Sequence, residues 1–292
     1  MQWIAPLNVQ YESSFVEALA KAWPGTGEWL FEEGGEFSRW RDSEDAMPVF
    51  CVHGPGGSGK TVLSSLVLEH LLGPLGQRSG SQCVLYCYFD YRDAPKNKVS
   101  CLLDCLLRQL VHYDHAVLHD VEILRAEFAS AGQPPPRDGV LNLIRTIIKD
   151  ISRHTTVYIL IDAIEECTDF FEEGKGIISL FRELVRWTQR RPCLDPTHLS
   201  DERSGVNLEA WAGPRTIRVF LTANDQAYSR LEKAKVFTSP TDLYLPNDRR
   251  VVEDMKRYVE GSVGAMGDDA MQAIRDVAGL LQLIIDTISG HL

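Results

Sequence analysis

The sequence has no excess of basic residues: 41 acidic side chains outnumber 30 basic ones, and the formal net charge is −11. Without a basic surplus to neutralise phosphates, the chain is predicted not to bind nucleic acid. No apolar run reaches the length of a membrane span, because residues 277–285 are interrupted by Gln282 and followed by Asp286. Residues 1–10 lack the basic and apolar segments of a secretory signal. These absences predict a cytoplasmic protein with no membrane partner.

Metal and redox motifs are also missing. The seven cysteines include no pair at the two-residue spacing of zinc or redox sites, and we expect small buried side chains in a reducing compartment. His112, His115 and His119 recur at helical spacing, but they follow an apolar helix and are typical of its exposed end rather than of a metal site. No internal repeat is present.

What the chain does contain is an alternation of strand-like and helix-like segments. Apolar, β-type runs occupy residues 48–53, 83–89, 156–161 and 217–222. Helical periodicity covers residues 61–72, 99–111, 117–131, 140–152 and 177–187. This order predicts an α/β fold of three αβα layers with a mostly parallel sheet. In the first of these helices we expect one apolar stripe toward the core, formed by Val62, Leu63, Leu66, Val67 and Leu71.

Composition divides the chain into three parts. Residues 1–45 form a lead-in segment, in which Trp23 and Trp29, like Trp40, are expected to be packing anchors. Residues 46–246 form the core, interrupted by a long polar, proline- and glycine-containing surface insertion around residues 191–215. Residues 247–292 contain two predicted helices, 251–263 and 270–288, which we interpret as the start of a small helical lid.

A glycine-rich segment follows the first strand directly and has the pattern G-x-x-x-x-G-K-T. It consists of Gly54, Pro55, Gly56, Gly57, Ser58, Gly59, Lys60 and Thr61. Its glycines let backbone N–H groups turn inward around an anion, and the next helix points its N-terminus at the phosphates. Lys60 supplies a positive charge for the β and γ phosphates, and Thr61 supplies a hydroxyl ligand for Mg²⁺. The segment therefore predicts a P-loop that binds ATP or ADP, or alternatively GTP or GDP, with Mg²⁺.

Acidic residues follow a later buried strand. Asp162 ends that strand and is predicted to help hold the Mg²⁺ ion. Glu165 and Glu166 come within about one helical turn, and either carboxylate can orient or deprotonate an attacking water; we favour Glu166. Asn224 follows the strand after the insertion, where a side chain can sense the γ-phosphate, although Asn also suits the turn at a strand end.

These residues together resemble a NACHT domain of the STAND class of P-loop NTPases, as found in fungal NOD-like receptors. The resemblance runs from about Gly25 onward and rests on GTGEWL at residues 25–30, the P-loop, CVLYCYFDYRD at residues 83–93 and DAIEEC at residues 162–167. It implies a signalling switch in innate immunity or self recognition. Such a switch opens and assembles into a homo-oligomer when ADP is exchanged, and effector and repeat sensor domains flank it. Neither flank is expected within these 292 residues.

Two departures from the NACHT pattern bear on turnover. The family usually has an arginine where this chain has Asn224, and an aspartate where it has Glu165. The resemblance therefore implies nucleotide binding with slow or impaired hydrolysis. Two alternatives stay open, a P-loop phosphotransferase and a degenerate scaffold that holds ADP. A small GTPase is disfavoured because no Asn-Lys-x-Asp motif follows a late strand.

Overall fold

The computed structural model describes residues 11–43, 47–73, 82–90, 92, 97–129, 133–169, 176–188, 217–236 and 241–264. Within these residues five strands form one sheet, and its order is β2-β3-β4-β1-β5. The strands are β1 (Val49–His53), β2 (Cys83–Tyr88), β3 (Val157–Asp162), β4 (Ile217–Ala223) and β5 (Thr241–Tyr244). All neighbouring strands are parallel, which confirms the predicted α/β class.

The helices of the described residues flank this sheet. They are α1 (Tyr11–Leu19), α2 (Glu36–Asp42), α3 (Lys60–Leu72), α4 (Val99–Tyr113), α5 (Val117–Ala129), α6 (Arg137–Ile151), α7 (Ile177–Thr188), α8 (Asp225–Lys233) and α9 (Arg249–Gly264). Short 3₁₀ turns cover Glu28–Phe31, Ile164–Glu166 and Leu245–Asn247. The strands and helices predicted between residues 48 and 263 agree with these bounds to within a few residues. The proposed insertion at 191–215 and the helix at 270–288 lie outside the described residues.

Alternation along the strands builds two apolar cores, one on each face of the sheet. In β4, Val219 and Leu221 belong to the core that α4 to α8 cover, whereas Phe220 belongs to the opposite core beneath α2 and α3. Successive side chains of a strand point to opposite faces, so an almost wholly apolar strand indicates burial on both sides. All seven residues of β4 are buried. The three predicted αβα layers are therefore present.

Strand β2 lies at one edge of the sheet, where a backbone normally has unpaired groups. At Tyr86 the backbone groups are bound by the side chain of Gln109 from α4. The Gln109 Oε1 accepts from the Tyr86 N–H at 2.9 Å, and its Nε2 donates to the Tyr86 carbonyl at 2.7 Å. Phe15 from α1 packs near the Tyr86 ring, with ring centroids 6.3 Å apart. A side chain thus substitutes for a neighbouring strand at this point.

The buried face of α3 differs from the predicted stripe. Leu63, Val67 and Leu71 are buried as expected, but Val62 and Leu66 are only half-buried. Ser64, Ser65 and Leu68 are buried in addition. The reason is that α3 packs against the sheet on one side and borders an open cavity on the other. Among the described residues, no helix is long and apolar enough to cross a membrane.

Candidate functional site

The carboxyl ends of the parallel strands meet at one edge of the sheet, where ligands of open α/β sheets bind. Here β4 lies between β1 and β3, so the loop after β1 and the acid at the end of β3 are separated by one strand. The first residue of the loop is held to that strand, because the Gly54 N–H donates to the Ala223 carbonyl at 3.3 Å. The last residues of β4 are therefore part of the site.

The loop of residues 54–61 adopts a compact turn into α3. Gly57 and Gly59 have φ angles of 80° and 88°, a left-handed conformation that side chains other than glycine rarely adopt. The Ser58 hydroxyl donates to the Pro55 carbonyl at 2.9 Å, which closes the turn. Because α3 begins at Lys60, N–H groups of its first turn have no carbonyl of the helix to bind. A loop of this conformation, followed by a helix N-terminus, can bind an anion.

Lys60 is buried at the centre of the loop. Its Nζ donates to the carbonyl oxygens of Gly54 at 2.8 Å and Pro55 at 2.9 Å, and the residue is 8% exposed. The two carbonyls are neutral, so they leave the positive charge of this buried ammonium group without a counter-charge, which is costly in the interior of a protein. An anion in the loop would thus compete well for this ammonium group.

Asp162 ends β3 and is 1% exposed. Its Oδ1 accepts a hydrogen bond from the Thr222 hydroxyl at 2.7 Å. Burial raises the pKa of Asp162 above its ordinary value, against the lowering influence of the hydroxyls of Thr222 and Thr61 and of the charge of Lys60. Lys60, Thr61 and Asp162, three residues singled out in the sequence, therefore lie close together.

Thr222 has two partners at once. Besides donating to Asp162, its Oγ1 accepts the N–H of Ala163 at 2.8 Å, and the residue is fully buried. Ala163 has φ 54° and ψ 52°, so the chain after Asp162 enters a left-handed turn that is unusual for alanine. Asn224 was the residue predicted from the sequence at this strand end, and Thr222 was not predicted. The available signal was a hydroxyl one residue before the end of a buried strand.

The two glutamates after Asp162 have different surroundings. Burial raises the pKa of Glu165, and Lys60 and the backbone N–H of Asn224 lower it, so this carboxylate lies near the loop. Its Oε2 is buried without a hydrogen-bond partner among the described residues. Burial also raises the pKa of Glu166, and there the further causes are the negative charges of Glu165 and Asp90. We favoured Glu166 from the sequence as the carboxylate that acts on water, but Glu165 is the one whose neighbours include Lys60.

Asn224 caps a helix. Its side-chain oxygen accepts the N–H of Ala227 at 2.8 Å, at the N-terminus of α8. The sequence left two interpretations open for this residue, a phosphate sensor and a strand-end turn. The structure places its side-chain oxygen in the second arrangement, which is the usual role of Asn at an N-cap.

A cavity of about 460 Å³ lies beside the loop. Its walls are Gly57 to Gly59 of the loop, Val62 and Leu66 of α3, Trp23 and Trp29 of the lead-in segment, and Met255 and Tyr258 of α9. Pockets of about 300–1,000 Å³ with apolar, aromatic walls are typical of small-molecule sites. Of the three tryptophans expected to be packing anchors, Trp40 is fully buried, whereas Trp23 and Trp29 are half-buried and line this cavity.

The surroundings of Asp162 suit a small divalent cation. Its Oδ2 is buried and has no hydrogen-bond partner in the described part of the chain. An unpartnered buried carboxylate oxygen is destabilising unless a cation or donor meets it. The Thr61 hydroxyl is close enough to influence the same carboxyl group, and Mg²⁺ usually takes one or two such protein ligands together with phosphates and waters. No group of three or more His, Cys, Asp or Glu among the described residues is placed to hold a metal by itself.

A family model described as "Nephrocystin 3, N-terminal" matches residues 25–194, which is more than half of the 292-residue chain. The match includes the loop at residues 54–61 and Asp162, and it ends before β4 and α9. This description differs from the NACHT resemblance drawn from the sequence. No curated protein matches the chain.

Proposed function

The chain belongs to the family described as Nephrocystin 3, N-terminal, and we propose that within it this chain is a P-loop nucleotide-binding switch. The nucleotide is ATP or ADP with Mg²⁺, as the NACHT resemblance implies, and hydrolysis is slow. The observation that supports this most directly is the convergence at one sheet edge of Lys60, Thr61 and the unpartnered oxygen of Asp162. Assembly into an oligomer on activation, implied by the same resemblance, is part of this proposal.

Each part of the site has a role in this proposal. The loop binds the phosphates, and Lys60 exchanges its two carbonyl partners for phosphate oxygens. Thr61 and Asp162 hold the Mg²⁺ ion, whose charge offsets that of the phosphates. The apolar cavity beside the loop accommodates the base and ribose.

Slow turnover follows from the groups near the loop. Glu165 is the carboxylate placed to accept a proton from water, because its environment includes Lys60 and Asp162. The side-chain oxygen of Asn224 is engaged in the α8 cap, so only its neutral Nδ2 amide group is left to donate to a γ-phosphate. A site with a base, and with a neutral amide where the resembled family has a charged arginine, favours binding over hydrolysis.

Nucleotide binding is tested with the Lys60→Ala variant. Calorimetric titration with ADP and ATP in the presence of Mg²⁺ should show binding to the wild type, and the variant should bind about 10- to 100-fold more weakly, since a charge-assisted hydrogen bond contributes about 1.5–3 kcal/mol. Lys149→Ala, an exposed lysine near the end of α6, is the matched control and should bind as the wild type does.

Equal affinity of the Lys60→Ala variant and the wild type would contradict the proposal, as would the absence of any binding. Competition with GTP and GDP in the same titration identifies the base. Rapid phosphoryl transfer to a small acceptor would favour the phosphotransferase instead.

A further inference from the structure

Helix α9 buries few of its side chains against the core. Of its side chains that the structure describes, residues 249–262, only Val251 is buried. Four apolar side chains of the helix are 42–50% exposed, namely Val252, Met255, Tyr258 and Val259. A helix with so little buried apolar surface depends on specific contacts for its position.

Those contacts are made with the lead-in turn, residues 23–29. Asp254 Oδ2 accepts two hydrogen bonds of 2.7 Å, one from the Gly27 N–H and one from the Trp29 indole Nε1–H; we call this pair the Asp254 clasp. The Asp254 side chain is 15% exposed. Both bonds bridge segments more than 220 residues apart in the sequence. The clasp therefore joins the beginning of the described chain to its last helix.

Neighbouring side chains strengthen the same junction. Arg250 lies over the Trp29 ring at 4.3 Å from its centroid, and Arg257 Nη1 donates to the Gly25 carbonyl at 3.1 Å. The ring of Trp23 packs edge-on against Tyr258, with centroids 6.1 Å apart. Gly261 leaves room for the Trp23 ring, which occupies the space that a Cβ atom would need there.

The junction is also a wall of the cavity beside the P-loop. Trp23 and Trp29 on the lead-in turn, and Met255 and Tyr258 on α9, line it together with Gly57 to Gly59. If the clasp opens, α9 and the turn separate, and the part of the cavity wall that they form is lost. The phosphate loop itself belongs to β1 and α3, so it stays in place.

We propose that the Asp254 clasp closes the cavity around the nucleoside part of the nucleotide, so that nucleotide binding and the docking of α9 stabilise each other. This inference rests on the proposed function and adds its regulation. Because coupling between two equilibria is reciprocal, a ligand that binds only the clasped form must also hold α9 in place.

The experiment separates the phosphate part of binding from the nucleoside part. The affinities of the full chain for Mg²⁺–ADP and for Mg²⁺–pyrophosphate are measured with Asp254→Ala and with the control Glu253→Ala, an exposed carboxylate one residue away on α9. Asp254→Ala should weaken ADP binding about tenfold, the effect of losing charge-assisted hydrogen bonds, and leave pyrophosphate binding unchanged. Trp29→Phe, which removes one of the two donors, should have a smaller effect in the same direction. Glu253→Ala should change neither affinity.

Hydrogen exchange supplies the reciprocal measurement. ADP should slow exchange of the wild-type peptides that cover residues 23–30 and 249–262, and pyrophosphate should not. Equal loss of ADP and pyrophosphate affinity in Asp254→Ala would indicate general destabilisation and overturn the inference. Unchanged ADP affinity, or no protection of α9 by ADP, would overturn it as well. A wild-type chain that binds neither ligand overturns the proposed function itself, and this inference with it.

Discussion

Replacing Thr222 by valine removes a single hydroxyl but breaks two hydrogen bonds at the centre of the site. Valine has nearly the same shape, so packing in the buried strand β4 is preserved. The Asp162 carboxylate loses its donor at 2.7 Å, and the Ala163 N–H loses its acceptor at 2.8 Å. Both groups are then unpaired in the interior of the protein.

The expected loss follows from these two bonds. A hydrogen bond to a charged group contributes about 1.5–3 kcal/mol, and leaving a buried donor unpaired costs about 1–3 kcal/mol. We therefore expect Thr222→Val to lower the free energy of unfolding by about 3–5 kcal/mol, a large part of the roughly 5–15 kcal/mol of a typical domain.

Urea unfolding followed by tryptophan fluorescence measures this loss. Thr241→Val, a half-buried threonine in the edge strand β5, is the control and should stay within about 0.5 kcal/mol of the wild type. In an Asp162→Asn background, the effect of Thr222→Val should be smaller by about 1 kcal/mol, because the bond to a neutral amide is weaker. A loss below about 1 kcal/mol, or equal losses in both backgrounds, would refute the assigned roles of this hydroxyl.

Two further predictions concern the residues next to Thr222. Burial raises the pKa of Asp162 in the folded protein. Below the unfolded pKa of about 3.9 this burial does not lower the free energy of unfolding. The free energy of unfolding then falls as the pH rises through the folded pKa, because the buried group must ionise. Asp162→Asn should therefore raise the melting temperature of the protein without nucleotide at pH 7, by an amount that shrinks toward pH 4, whereas a gain independent of pH would contradict this. Ala163→Gly should stabilise the protein by about 1 kcal/mol in the same unfolding assay, because glycine adopts the left-handed turn without strain. The matched change Ala223→Gly, in strand β4, should destabilise the protein by about 0.5–1 kcal/mol. Stability changes of the same sign in both variants would contradict a strained left-handed turn at Ala163.

The sequence was most informative where the signal is local. An apolar strand that runs into GPGGSGKT, and an apolar strand that ends in Asp162, each predict their own conformation and chemistry within about ten residues. The alternation of strands and helices was likewise enough for the α/β class. These predictions needed no knowledge of which strands are neighbours.

What the sequence did not predict depends on contacts between distant segments. Thr222 reaches Asp162 only because β4 lies between β1 and β3, an order that strand patterns do not contain. Asp254 meets Trp29 across 225 positions of sequence, and nothing around either residue indicates the other. The stripe predicted for α3 was wrong at Val62, which lines a cavity rather than the core, whereas Leu66 packs against the core and lines the cavity as well.

The side chain of Gln109 at the edge of the sheet has a consequence for how copies of this chain can meet. Strand addition joins proteins through free backbone groups, and at Tyr86 both groups are already bound within the chain. A second chain approaching β2 there must first displace two internal hydrogen bonds, without gaining new ones overall. Association through this stretch of the edge is therefore discouraged in every state that keeps α4 in place. The opposite edge of the sheet, formed by β5, is not affected by this contact.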